Sequence, residues 1–196
     1  MADTNQDSNA AQNTGEIIAI YIAEASAAPA VNHQQAELKK NHGLVGDRHA
    51  GKNLDDQVTL VDADVIDQVN AATGWQLTPE QTRRNIVTRG IDLNQWETSE
   101  FRVGDAVLKG VELCEPCATL GNILQTAERS PADVVKALVH KAGLRARVLS
   151  GAIIKQGDKV TDWRLQIKQP FSVHVSKWST ENVNQLINNF FIVRRG

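Results

Sequence analysis

Short β-branched runs, each closed by a glycine or a turn pair, recur along the chain with no regular helix between them. The runs are EIIAIYIA at 16–23, QVTLV at 57–61, NIVT at 85–88 and FRVGDAVLKGVEL at 101–113, broken by a Gly104-Asp105 turn signal. Further strand patterns occupy 144–150, 152–154, 159–167 and 171–175, with a Gly157-Asp158 turn between the second and third. A doubly wound parallel sheet needs regular alternation of strand and helix, and the pattern lacks it. The expected fold is α+β and mainly β: a mixed or closed β-barrel with peripheral helices.

The helices are signalled by their ends. Asp62 is placed to cap DADVIDQVNAATG, with Val65, Ile66 and Val69 on one face and Gly74 to close it. Thr78-Pro79-Glu80-Gln81 is a capping box with Pro at the first helical position, and its helix must be short because NIVT follows. Ser130-Pro131-Ala132-Asp133 starts another, expected to run to Gly143, and residues from Ala118 onward also suit a helix. A last helix is expected at about 180–191, with Val183, Leu186, Ile187 and Phe190 on its apolar face. Residues 24–42, rich in Ala, Asn and Gln, read as irregular or weakly helical.

The 196 residues are enough for one self-sufficient core. With 41% hydrophobic and 22% charged residues, the chain is neither disordered throughout nor fibrous. Residues 1–14 are polar and read as a disordered lead, not a secretory signal. A domain is expected over 15–165, followed by a strand-and-helix extension over 166–196 that packs on the barrel. No run is long and apolar enough to span a bilayer, so a cytoplasmic location without a membrane role is expected. A net charge of −2 argues against a basic nucleic-acid coat, and only 5% of residues are aromatic.

Three segments carry candidate chemistry. In Gly46-Asp47-Arg48-His49-Ala50-Gly51-Lys52-Asn53, Asn53 stands where a P-loop needs Ser or Thr, and a strand rather than a helix follows. The weaker reading is a glycine-rich loop holding a phosphate with backbone N–H groups, Arg48, His49 and Lys52. Its alternative is a surface turn. Cys114-Glu115-Pro116-Cys117 contains both cysteines of the chain. Four readings stay open: a zinc site, a redox dithiol, two inert buried thiols, or one reactive or metal-ligating thiolate at a strand end. Such a thiolate needs positive charge nearby. Residues 134–157 hold no acid but carry Lys136, Lys141, Arg145, Arg147 and Lys155, and Arg83-Arg84-Asn85 adds two guanidinium groups beside an amide. In a strand, Arg145 and Arg147 share a face, and arginine forks suit oxyanions.

In order, GLVGDRHAGK, QVTLVDADVI, RRNIVTRGIDLN, FRVGDAVLKGVELCEPC and GLRARVLSGAIIKQGDKV resemble a stand-alone bacterial MOSC domain, the domain also found at the C-terminus of molybdenum cofactor sulfurases. The resemblance runs over about 43–160. It implies a β-barrel-like fold, binding of molybdenum cofactor (molybdopterin) and a functional cysteine, Cys117, as molybdenum ligand or persulfide carrier. It implies cofactor-binding roles for the basic positions Arg48, Lys52, Arg84 and Arg147, beside which His49 and Asn85 are the further candidates. Two activities follow from it: reduction of N-hydroxylated compounds, and sulfur transfer to the cofactor. A non-enzymatic cofactor carrier is the alternative. Many relatives carry Gly-Pro before the first cysteine, where this chain has Glu112-Leu113. The pattern contains no pyridoxal-phosphate, flavin or iron–sulfur domain. A separate pyridoxal-phosphate-dependent cysteine desulfurase or an electron-donor protein is therefore the expected partner, alongside the small-molecule cofactor and substrate.

Overall fold

Strand β1 (Thr14–Ile22) alternates its side chains between two buried layers, which fixes its register in the sheet. In the computed structural model, which describes residues 14–162, it is followed by β2 (Val31–Asn32), β3 (Gln35–Lys39), β4 (Gly43–Leu44), β5 (Val58–Asp62), β6 (Ile86–Arg89) and β7 (Glu100–Val103). Then come β8 (Ala106–Leu113), β9 (Leu144–Ser150), β10 (Ala152–Lys155) and β11 (Lys159–Asp162). The sheet order β11-β7-β8-β9-β5-β6-β1 closes on itself, because β11 also pairs with β1 through Glu16↔Lys159, Gly15↔Val160 and Thr14↔Thr161. Seven strands thus form a closed barrel, as the strand pattern implies. The expectations for 1–13 and for everything beyond Asp162 (the strand at 171–175, the last helix and the 166–196 extension) fall outside the described residues.

Alternation explains the two cores. Ile17, Ile20, Leu60, Ile86, Leu108, Leu144, Ala146 and Val148 fill the barrel. Ala19, Val61 and Val87 face outward and meet three helices: α1 (Ala63–Thr73), α2 (Ala118–Leu124) and α3 (Pro131–Leu138). β5 is buried on both faces and reads as a continuous apolar run for that reason. It pairs in parallel with β6, so β5-α1-β6 is one β-α-β unit inside an otherwise antiparallel barrel.

The caps hold as expected. The Asp64 N–H donates to the Asp62 carboxylate, Gly74 adopts the left-handed conformation, and Ser130 and Asp133 form a reciprocal capping box. The TPEQ box closes a single 3-10 turn, Pro79–Thr82.

Two expectations change. Residues 24–42 include β2 and β3 and are not helical; β3 pairs with β10 and β4 in a small second sheet. Its sequence, QAELK, buries only Ala36 and Leu38, so neither β-branched side chains nor a long apolar run announce it. Helix α3 ends at Leu138, five residues before Gly143. Val139 leaves the helical conformation (ψ 128°) and His140 has φ +57°, which turns the chain so that Gly143 (φ +107°) passes against the Leu60 carbonyl.

Candidate functional site

β8 delivers the cysteines. Its register on β9 shifts between Gly110 and Glu112, a bulge that re-aims the strand end. The Cys114 N–H then donates to the Gly143 carbonyl, at 2.7 Å, and its side chain is buried. Cys117 is exposed at the start of α2. The two thiols are therefore shifted in opposite directions. Burial pushes the Cys114 thiol up, against the pull of Arg84 and Arg145. The Leu120 N–H holds the Cys117 thiol below its usual value; slight desolvation opposes this, and Thr119 and Arg84 add to it. Of the four readings of the motif, that of two inert buried thiols is set aside, because Cys117 is exposed. No group of three His, Cys, Asp or Glu side chains is gathered for a metal among the described residues.

The cation beside Cys117 comes from Arg84, not from the acid-free stretch. The turn at 140–143 is the platform for both. Arg84 Nε donates to the Ala142 carbonyl, at 2.7 Å, while Gly143 accepts from Cys114. Glu115, between the cysteines, accepts from the His140 N–H at 3.1 Å and contacts His140 Nδ1 at 2.5 Å. Asn94 Nδ2 donates to the His140 carbonyl.

Asp47 organises the glycine-rich loop from inside. Its buried carboxylate accepts from the Ala23 N–H, the His49 N–H and Asn85 Nδ2. The backbone N–H groups of residues 47–52 are all engaged within the protein. These six N–H groups are therefore already committed within the protein and are not free to cradle a phosphate. Arg48 is mostly buried, donates to the Arg83 carbonyl and lies 3.8 Å from Asp47. Burial lowers its pKa; Asp47 opposes this, and Arg83 and Arg84 reinforce it.

His49 Nδ1 is 3.0 Å from Asp56 in the 3-10 turn Leu54–Asp56. Burial disfavours the Asp56 carboxylate, but His49, Arg145 and Arg84 outweigh it and hold its pKa below the ordinary value. Arg145 reaches Asp56 at 3.6 Å and also pairs with Glu112. Cys117, Arg84, Arg48, His49, Asp56 and Arg145 thus form one electrostatically connected group.

Three candidates are placed elsewhere. Asn85 is buried: its oxygen accepts from the Thr59 N–H and hydroxyl, and its nitrogen donates to Asp47 and the Tyr21 carbonyl. All four of its hydrogen-bonding positions are spent in holding the loop to the barrel. Arg147 turns to Asp55, and Lys52 is exposed with no ion pair among the described residues.

Asp56 and Arg145 are the members of the group that the sequence-based set of site residues omits. Arg145 was legible as the face-mate of Arg147. Asp56, one of two adjacent acids before a strand, carried no local signal.

Comparison places this geometry in a family. The family model described as MOSC domain matches residues 39–161. A search of curated proteins finds no match. Among solved structures, the chain is similar to the YuaD protein from Bacillus subtilis, with 18% identity and a TM-score of 0.67 over 75% of this chain and 94% of that one. It is also similar to YiiM from Geobacillus stearothermophilus, with 15% identity and a TM-score of 0.60 over 75% and 74%. YiiM from Escherichia coli gives 15% and 0.55 over 74% and 68%. At these identities the solved structures establish the shared fold. With the family model covering more than half its length, the chain belongs to the MOSC domain family.

Proposed function

We propose that this chain is a cytoplasmic protein that binds molybdenum cofactor beside Cys117 and uses the Cys117 thiolate in the cofactor's chemistry. The observation that carries the reading is an exposed thiol with a lowered pKa, flanked by Arg84 and connected through Asp56 to Arg48 and Arg145. The donor set suits the group. A thiolate is a soft ligand for a transition metal, and arginine forks suit a pterin phosphate. When bound, the cofactor supplies a redox-active metal centre.

The protein's own part is electrostatic. The backbone N–H groups at the start of α2 and Arg84 favour the ionised form of Cys117, the form that either ligates molybdenum or carries sulfur as a nucleophile. Arg48, mostly buried, and Arg145 supply the positive charge around Asp56, while Lys52 and Arg147 stand apart from this group. His49 and Asp56 hold the loop over the site. Asn85 acts from below, by holding Asp47.

Two activities are consistent with this thiolate: reduction of N-hydroxylated compounds with electrons from a donor protein, and sulfur transfer from a cysteine desulfurase partner. Production in a host that makes the cofactor, followed by molybdenum and pterin assay, tests the binding. Co-purified pterin and molybdenum, lost in the Arg84→Gln variant, is the expected result; zinc without pterin would overturn it. Turnover of an N-hydroxylated compound with a supplied donor, or acceptance of labelled sulfur on Cys117, then separates the two activities. Cofactor retention by Cys117→Ser, with no turnover by the wild type, favours the carrier reading.

A further inference from the structure

A cleft of about 520 Å³ lies where the end of β1, the chain leading into β2 and the residues after β4 meet. It shares no lining residue with the group around Cys117. Ile22, Ala28, Pro29, Val31 and Val45 make its walls apolar, and Val31 is 54% exposed there. The walls are pinned from outside the cleft. Arg83 donates to the Ser26 and Ala28 carbonyls, at 2.9 and 3.0 Å, and so holds the segment between β1 and β2. Past β2, the His33 N–H donates to the Ile20 carbonyl, and Gln156 Nε2 donates to the His33 carbonyl. A concave, mostly apolar and pre-formed space of this volume suits a small organic ligand. Glu24 and His33 are its only ionisable side chains, and neither makes an ion pair or a side-chain hydrogen bond among the described residues.

We propose that this cleft binds an apolar organic ammonium, with its body against the five apolar side chains and its charged end at Glu24. Charge complementarity decides the class. An ammonium carries three donors and no acceptor, while the Glu24 carboxylate and a His33 ring nitrogen both accept. Arg83, the cation that pins the wall, is turned to backbone carbonyls and does not line the cleft. The apolar walls supply most of the affinity. Glu24, at the exposed rim, supplies the selectivity for charge. The site goes beyond molybdenum cofactor binding at Cys117 and does not rest on it.

Methyl-detected NMR titration of the full chain at constant ionic strength tests the assignment. The three probes share one aromatic body: 2-phenylethylamine, protonated at neutral pH, 2-phenylethanol and 3-phenylpropionate. Saturable shifts at the Ile22, Ala28, Val31 and Val45 methyls are expected, with the ammonium binding at least fivefold tighter than the alcohol and the carboxylate weakest. Glu24→Gln should bring the ammonium to within twofold of the alcohol. Val31→Ser, at an exposed wall position, should weaken both at least threefold and leave their ratio unchanged. Absence of saturable shifts, equal affinity for the ammonium and the carboxylate, or an unchanged ammonium affinity in Glu24→Gln would overturn the proposal. So would shifts confined to the Leu120 and Leu124 methyls of α2, which would locate the ligand beside Cys117. None of these readouts involves Cys117 chemistry or molybdenum, so the two proposals fail separately.

Discussion

Cys117 and Cys114 stand three residues apart, and what separates them chemically is burial of the one and the backbone N–H groups that face the other. The Arg84 contribution can be isolated. In Arg84→Gln the Leu120 and Thr119 N–H groups remain, so the Cys117 pKa should rise without reaching that of a buried thiol. The pH profile of iodoacetamide alkylation measures it; a profile that does not move would remove Arg84 from the thiol's surroundings. Asn85 offers a sharper test of the support beneath. Asn85→Asp puts a second carboxylate where Nδ2 now lies, 2.8 Å from that of Asp47. Stability should fall by about 3 kcal/mol near neutral pH, with partial recovery in acid as one carboxyl protonates; urea melts at two pH values read this. Residue types alone grouped Asn85 with Arg84 as neighbours in sequence. They could not show that the two side chains diverge, Arg84 toward Ala142 and Asn85 toward Asp47, because that depends on a left-handed turn at Arg83 (φ +60°).

The glycines and caps decide how elements end, and their costs differ by cause. Gly74 has φ +73° and open space around it, so Gly74→Ala should cost only about 1 kcal/mol, from backbone strain. Gly110 has no positive φ, but a Cβ there would stand 1.9 Å from the Trp96 carbonyl. Gly110→Ala should destabilise β8 several times more, and paired thermal melts compare the two. Asp62 shows a different tension at the start of α1. Burial raises its pKa to about 6, partly offset by the Asp64 N–H. Between the unfolded value near 4 and about 6, the folded state holds the proton that the unfolded state has lost, so this residue's contribution falls as pH rises through that window. Asp62→Asn keeps a good cap. The wild type should therefore lose stability relative to Asp62→Asn as pH increases from 4 to 7. Capped helices and long alternating strands were legible because their signals are local. β3 and the early end of α3 were not: the first is fixed by its partners β4 and β10, and the second by the contact of Gly143 with Leu60.

At the scale of the whole barrel, closure rests on the short strand β11, which joins β7 to β1. Ending the chain after Asp158 would leave both neighbours as unpaired edges. Such a protein should lose cooperative thermal unfolding and scatter light at concentrations where the full chain stays clear. The pairing also sets a timetable for the nascent chain. Glu16 and Lys159, in contact across the seam, are 143 residues apart in sequence. At ribosomal speeds of ~5–20 residues per second, β1 exists for on the order of 10 s before the strand that completes the ring has been made. Through that interval Ile17 and Ile20 have no finished interior to enter, so the cell must shelter the beginning of this protein until its late strand arrives.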